Sequence, residues 1–177
     1  MSRKSKSFSQ LYDYLMRDKS NFSFTRNAYS NSRNKKELIK EFLENCRHLK
    51  NARGKVNLYH ELLSLEKNNL SLQKQKEILF VLANKYLEQR ADKHLSFGVI
   101  HEDKDHVHLH LMISSNELES NKRIRLSKSE FSSIQKQLET YKNQTYQELD
   151  NSSFYQEKKD FSKEKQKEQE LKKRRGQ

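Results

Sequence analysis

The chain has 177 residues, 32% hydrophobic and 34% charged, which suits one domain with an economical core and a solvated remainder. Its 36 Lys and Arg outweigh 24 Asp and Glu, and the net charge of +12 attracts polyanions, nucleic acid ahead of an anionic membrane. The lone Cys46 excludes an internal disulfide, no apolar run reaches transmembrane length, and the Ser/Lys-rich start lacks an apolar signal core, so a cytoplasmic protein without membrane insertion is expected.

No proline and only three glycines favour long helices joined to a few strands. Residues 1–7 read as a basic arm and 8–17 as a helix with Ser7 as its cap; 21–30 (NFSFTRNAYS) is a weak strand or loop. Leu38, Phe42, Cys46 and Leu49 recur at helical spacing and Asn34 with Glu37 resembles a capping box, so a helix spans 34–50 and stops at 51–54. Residues 55–65 alternate as a strand, and 71–90 form a second long helix carrying Ile78, Leu79, Leu82 and Tyr86. Residues 94–113 read as two strands around a polar turn at 102–105. A short strand is expected at 123–126, with Arg123 and Arg125 on one side and Ile124 and Leu126 on the other. Ser127 and Glu130 then open a helix to about residue 143. From 157 onward apolar residues nearly vanish, which divides the chain into a domain over 1–150 and a charged, basic tail over 151–177.

Four of the seven histidines fall within ten residues of the stretch HEDKDHVHLHLMI, at 101–113. On a strand His106, His108 and His110 share one face, and Val107, Leu109, Leu111 and Ile113 the other, so one face suits a core and the other chemistry. Same-face neighbours stand roughly 6.5–7 Å apart, which lets two imidazoles converge on one ion at about 2.1 Å but spreads three in a row too widely. The third ligand should come from the preceding strand, where His101 satisfies hairpin parity opposite either His106 or His108. The set His101, His108 and His110 then leaves His106 at the mouth, beside a ligand or a phosphate. Three nitrogen ligands without a thiolate suit an open, catalytic ion better than a closed structural zinc.

The stretch HEDKDHVHLH, with the later RIRLSK, resembles the metal-binding motif of the mobilisation relaxases, the MobP and VirD2-like group of the HUH endonucleases. That motif is a histidine, an acidic residue two positions later, and a His-x-His pair beginning seven after the first histidine. It implies His101, Asp103, His108 and His110 here. The family's nucleophile lies in a Tyr-Leu-x-Arg segment on its first helix, matched by Tyr14-Leu15-Met16-Arg17, and Tyr59-His60-Glu61-Leu62-Leu63-Ser64 is similar to another common segment. The resemblance covers about residues 8–150. Its family opens with a strand before the tyrosine helix, whereas this chain begins almost at that helix, so a sheet without the first strand is expected.

The resemblance implies an α/β (α+β) domain whose central, mainly antiparallel sheet is flanked by helices. It also implies transesterification on single-stranded or supercoiled DNA at a transfer origin, with accessory mobilisation proteins as partners. A tyrosine would attack the scissile phosphate, assisted by a divalent ion, Mn²⁺ or Mg²⁺, with Zn²⁺ as a substitute in vitro. Tyr12 falls on the apolar stripe of Phe8, Leu11 and Leu15, whereas Tyr14 lies off it, so Tyr14 is the expected nucleophile. Tyr29, Tyr59, Tyr86, Tyr141 and Tyr146 read as packing or stacking groups. Asp103 would orient a ligand imidazole; Asp13, Asp18 and Glu61 are candidate bases; Arg17, Arg123, Arg125 and Lys128 would neutralise the DNA backbone. Two alternatives share these residues: an HUH enzyme of replication initiation or transposition, and a non-catalytic DNA-binding homologue.

Overall fold

In a computed structural model, residues 3–17, 22–47, 56–65, 69–102, 107–120 and 122–149 are described. The expected tail at 151–177, the stop at 51–54 and the turn residues Asp103 and His106 lie outside them. The elements in chain order are α1 (Arg3–Leu15), β1 (Phe22–Arg26), α2 (Lys35–Asn45), β2 (Leu58–Ser64), α3 (Leu72–Ala91), β3 (His94–Glu102), β4 (Val107–Glu117) and α4 (Lys128–Thr145), followed by a 3₁₀ turn at Gln147–Leu149.

The four strands form one antiparallel sheet in the order β1-β3-β4-β2, the α+β arrangement expected. Because side chains alternate, Phe97, Val99 and His101 share a face with His108, His110 and Met112 across the β3–β4 pair. The histidine face is therefore also a core face. Phe97, Val99 and Met112 pack there against Phe8, Tyr12 and Leu15 of α1 and Leu38 and Phe42 of α2. On the other face Ile100, Leu109, Leu111 and Ile113 meet Ile78, Leu79 and Leu82 of α3 and Ile134 and Leu138 of α4. With both faces covered by helices, the central strands β3 and β4 have few solvated positions.

Asn34 and Ser127 cap their helices as expected, Ser71, expected only as part of its helix, caps α3, and the capping box expected of Asn34 with Glu37 is present only in its Asn34 half. Asn34, Ser71 and Ser127 each accept a hydrogen bond from a first-turn amide, and the Glu130 carboxylate accepts one from the Ser127 N–H to complete a capping box. At the N-terminus α1 begins earlier than expected, at Arg3, so Ser7 lies inside the helix and not at its cap. Arg, Lys and Ser in that first stretch hold no breaker that would delay the start. The weak segment at 21–30 resolves into β1, which ends where Asn27 adopts a φ of 60° and ties itself to the Asp92 and His94 carbonyls at 2.6 and 3.0 Å.

The strand expected at 123–126 does not form; a single bridge pairs Asn116 with Arg123. Both edges of β4 are already taken by β3 and β2, and the incoming segment meets only the last residues of β4, through Ile124 N–H to Ser115 O at 2.9 Å and Glu117 N–H to Lys122 O at 2.9 Å. β4 itself runs to Glu117, past the expected end at 113. Its polar Ser114 and Asn116 are fully buried and tied to α2: Asn45 Nδ2 donates to Ser114 Oγ at 2.9 Å and to Asn116 O at 3.0 Å, and Asn116 Nδ2 donates to Asn45 O at 2.7 Å, which leaves Asn116 Oδ1 without a partner among the described residues.

Gly98 on β3 lies opposite Phe24 on the edge strand β1, and a Cβ at 98 would collide with the Phe24 ring. That ring is held edge-on by Phe80 of α3, with centroids 5.1 Å apart, so it has little room to retreat. Gly98→Ala should destabilise the domain by about 1–3 kcal/mol, as overpacking does. Adding Phe24→Leu should recover part of the loss. Urea unfolding of the two variants and the wild type checks this, and an unchanged midpoint for Gly98→Ala would remove the constraint.

Candidate active site

The β3–β4 register sets His101 directly opposite His108 and Val99 opposite His110, so three imidazoles meet on one face at the hairpin end of the sheet. Their ring centroids stand 5.4 Å (His101–His108), 4.7 Å (His101–His110) and 4.9 Å (His108–His110) apart. One ring nitrogen from each lies within 4.8 Å of the others. Three nitrogens bound at ~2.1 Å to a tetrahedral ion would stand roughly 3.4 Å apart, so a modest contraction closes the set. His101 and His110 are buried and His108 half-buried.

The hydrogen bonds around His101 test whether the set suits an ion. Its Nε2 lies 2.6 Å from the carbonyl oxygen of Leu15, the last residue of α1. A carbonyl only accepts, so Nε2 carries the proton and the lone pair is on Nδ1. That Nδ1 is buried and finds no hydrogen-bond partner among the described residues. A buried lone pair without a proton donor, beside two further imidazoles, fits a cation. The same conclusion holds for charge state: burial first, then the neighbouring His101, His108, His60 and Arg17, pushes His110 down to about 4, so it is neutral at pH 7 as a ligand must be.

α1 crosses this face and delivers its last turn to the histidines. Tyr12 is buried: its hydroxyl donates to Ser32 O at 2.9 Å, its ring stacks on Phe97 at 5.1 Å, and burial followed by the Asp13 carboxylate raises its pKa. Tyr14 is 44% exposed and edge-on to His110 at 5.8 Å and to His60 at 5.9 Å. The Arg17 guanidinium lies over the Tyr14 ring, 5.1 Å from its centre. A phenol, a guanidinium and the imidazole cluster thus share one surface.

Other expected residues lie elsewhere. Arg123 bridges to Asn116, six residues beyond His110 along β4 and so roughly 20 Å away, and its Nη1 donates to Val56 O at 2.6 Å. Arg125 and Lys128 follow it into α4. Glu61 cannot serve Tyr14 as a base, because strand alternation turns it to the opposite face. There it accepts from Tyr86 Oη at 2.7 Å and from Arg90 at 3.1 and 2.8 Å. Asp13 pairs with Lys35 at 2.7 Å, and Asp18 is outside the described residues. One residue was not singled out beforehand. His60 on β2 stacks on His110, and its Nε2 lies 2.9 Å from His110 Nδ1. Its same-face position in YHELLSL was visible, but not which strand would lie beside it.

An antiparallel sheet flanked by helices, with a three-histidine cluster that could hold an ion beside an exposed tyrosine, is consistent with a relaxase-like nuclease domain. A sequence profile described as "Relaxase: MobA/VirD2-like, nuclease domain" matches residues 14–147, from Tyr14 through the histidines to the end of α4. The match covers more than half of the chain, which belongs to the MobA/VirD2-like relaxases, a family of DNA-nicking enzymes that use a divalent metal. No curated protein and no solved structure matches significantly. Among the described residues, no helix is long and apolar enough to cross a membrane.

The depressed basicity of His110 ties stability to pH. An imidazole titrating near 6.5 when unfolded and at about 4 when folded binds fewer protons in the native state. Its contribution is complete above pH 6.5 and is lost as pH falls from there towards 4. In the metal-free protein the urea midpoint should decline over that window, and more steeply than in His110→Ala. Parallel curves for the two proteins would show that His110 is not the group responsible.

Proposed function

We propose that this domain nicks one DNA strand at an origin of transfer by transesterification through Tyr14, and so initiates mobilisation of a plasmid or other mobile element. The observation that carries the reading is the packing of the Tyr14 ring edge-on to His110, one member of the histidine cluster, on an exposed surface. The Tyr14 oxygen attacks the scissile phosphorus, the bond from phosphorus to the 3′-oxygen breaks, and the phenolic proton is balanced by protonation of that oxygen. The products are a 5′-phosphotyrosine and a free 3′-hydroxyl, and the same steps in reverse reseal the strand.

His101, His108 and His110 would hold a divalent ion, Mn²⁺ or Mg²⁺, with Zn²⁺ as a substitute in vitro. When bound, the ion polarises the non-bridging phosphate oxygens and offsets charge gained in the transition state. Arg17, already at the Tyr14 ring, supplies a cation to the adjoining phosphate. Asp103 is assigned to orient a ligand imidazole and His106 to the phosphate side of the cluster. Arg123, Arg125 and Lys128 would contact more distant stretches of DNA, to which the net charge of +12 also attracts the protein. The substrate is a single strand exposed in supercoiled DNA, presented with accessory mobilisation proteins.

Tyr14→Phe should abolish the covalent adduct with a single-stranded oligonucleotide while leaving DNA affinity nearly unchanged, because only the hydroxyl is lost. Tyr12→Phe should still form the adduct. Denaturing gel analysis of trapped adducts checks both, and the reverse pattern would transfer the nucleophile to Tyr12.

Alanine at His101, His108 or His110 should each remove most Mn²⁺ affinity and most nicking of a supercoiled plasmid. Calorimetric titration provides the binding half of that comparison. Undiminished binding in any of the three would exclude that residue as a ligand.

A further inference from the structure

Two imidazole nitrogens 2.9 Å apart cannot both present a lone pair, so the contact between His60 Nε2 and His110 Nδ1 contains one proton. Its position decides what His110 can do. If His60 is the donor, a neutral His110 uses its Nδ1 lone pair as acceptor and carries its own proton on Nε2, leaving nothing for an ion. If His110 is the donor, Nε2 is left with the lone pair.

We propose that His60 is a positioning residue for the metal site: its Nε2 accepts the Nδ1–H of His110 and holds that imidazole in the tautomer able to ligate. His101 is fixed in the same manner by a different group, the Leu15 carbonyl, so two of the three ligands have a tautomer set by a neighbour outside the triad. The register supports the assignment. Leu62 on β2 lies opposite His110 and His60 opposite Met112, which brings His60 diagonally to His110 on the same face. The rings stack with centroids 5.1 Å apart and planes 29° from parallel, and His60 also touches the Tyr14 ring edge. β2 thereby supports both the ligand and the proposed nucleophile from one side chain. The inference rests on the reading of the triad as a metal site.

Two substitutions separate the acceptor from the ring. His60→Gln keeps an acceptor oxygen near the position of Nε2 and discards the ring, whereas His60→Phe keeps a ring against Tyr14 and discards the acceptor. Titrated with Mn²⁺ alone, His60→Gln should bind within a few-fold of wild type and His60→Phe should bind about 10–100-fold more weakly. Nitrogen-15 correlation spectra of the metal-free proteins at neutral pH should show His110 protonated on Nδ1 in wild type and His60→Gln, and on Nε2 in His60→Phe. Wild-type affinity in His60→Phe, loss in His60→Gln alone, or an Nε2-protonated His110 in the wild type would each overturn the proposal. A wild-type protein that takes up no Mn²⁺ would remove the metal reading itself and this inference with it. That outcome is recognisable because the tautomer is read without metal.

Discussion

The hydrogen bond from His101 Nε2–H to the Leu15 carbonyl joins the two halves of the site across 86 positions of sequence. It satisfies one of the carbonyls that every helix leaves unpaired at its C-terminus, and it does so with a side chain from the central sheet. The same bond fixes the His101 tautomer and docks the last turn of α1, and with it Tyr14, against the cluster. A change that displaced the Leu15 carbonyl would therefore disturb His101 and Tyr14 together. The negative end of the α1 dipole also points at the imidazole that would share a cation's charge, so helix and ion favour the same geometry.

The docking works because the histidines occupy one end of a face that is otherwise core. Phe97, Val99 and Met112 hold α1 and α2 on the sheet through apolar contact, and the histidine cluster begins where that contact stops. Burial of His101 and His110 follows from this position, and burial is the first cause of the depressed basicity of His110. A fully exposed row of imidazoles would titrate near 6.5 and repel an ion over part of the physiological range.

Much of this was legible in the sequence. Caps at Asn34 and Ser127 and the apolar periodicities of α2 and α3 depend on neighbours within a turn, so local pattern suffices. Hairpin parity placed His101 opposite His106 or His108, and the observed register selects His108. The position of Tyr12 on the apolar stripe of α1 agreed with its burial. What could not be read depended on contacts distant in sequence. The polar end of β4 is tolerated because Asn45 pairs with Ser114 and Asn116, the 123–126 segment finds both edges of β4 occupied, and His60 matters because β2 inserts next to β4. Each of these requires the strand order, which no single segment encodes.

The two faces divide the polar work as well as the core. On the α3–α4 face Arg90, with its side chain 5% exposed, is held by Glu61 and lies over the Tyr59 ring at 4.8 Å and near the Phe131 ring at 5.9 Å. Removing Glu61 would leave a buried guanidinium without its counter-ion, a loss that buried pairs of this kind make costly. The cluster therefore acts as a lock between β2, α3 and α4, and it explains why a carboxylate one residue from His60 takes no part in the site. Along β2 the alternation of side chains sends His60 towards His110 and Glu61 towards Arg90. One strand thus anchors the structural face with a charge pair while presenting a neutral imidazole to the histidine cluster, and a one-residue slip in its register would exchange the two and disable both.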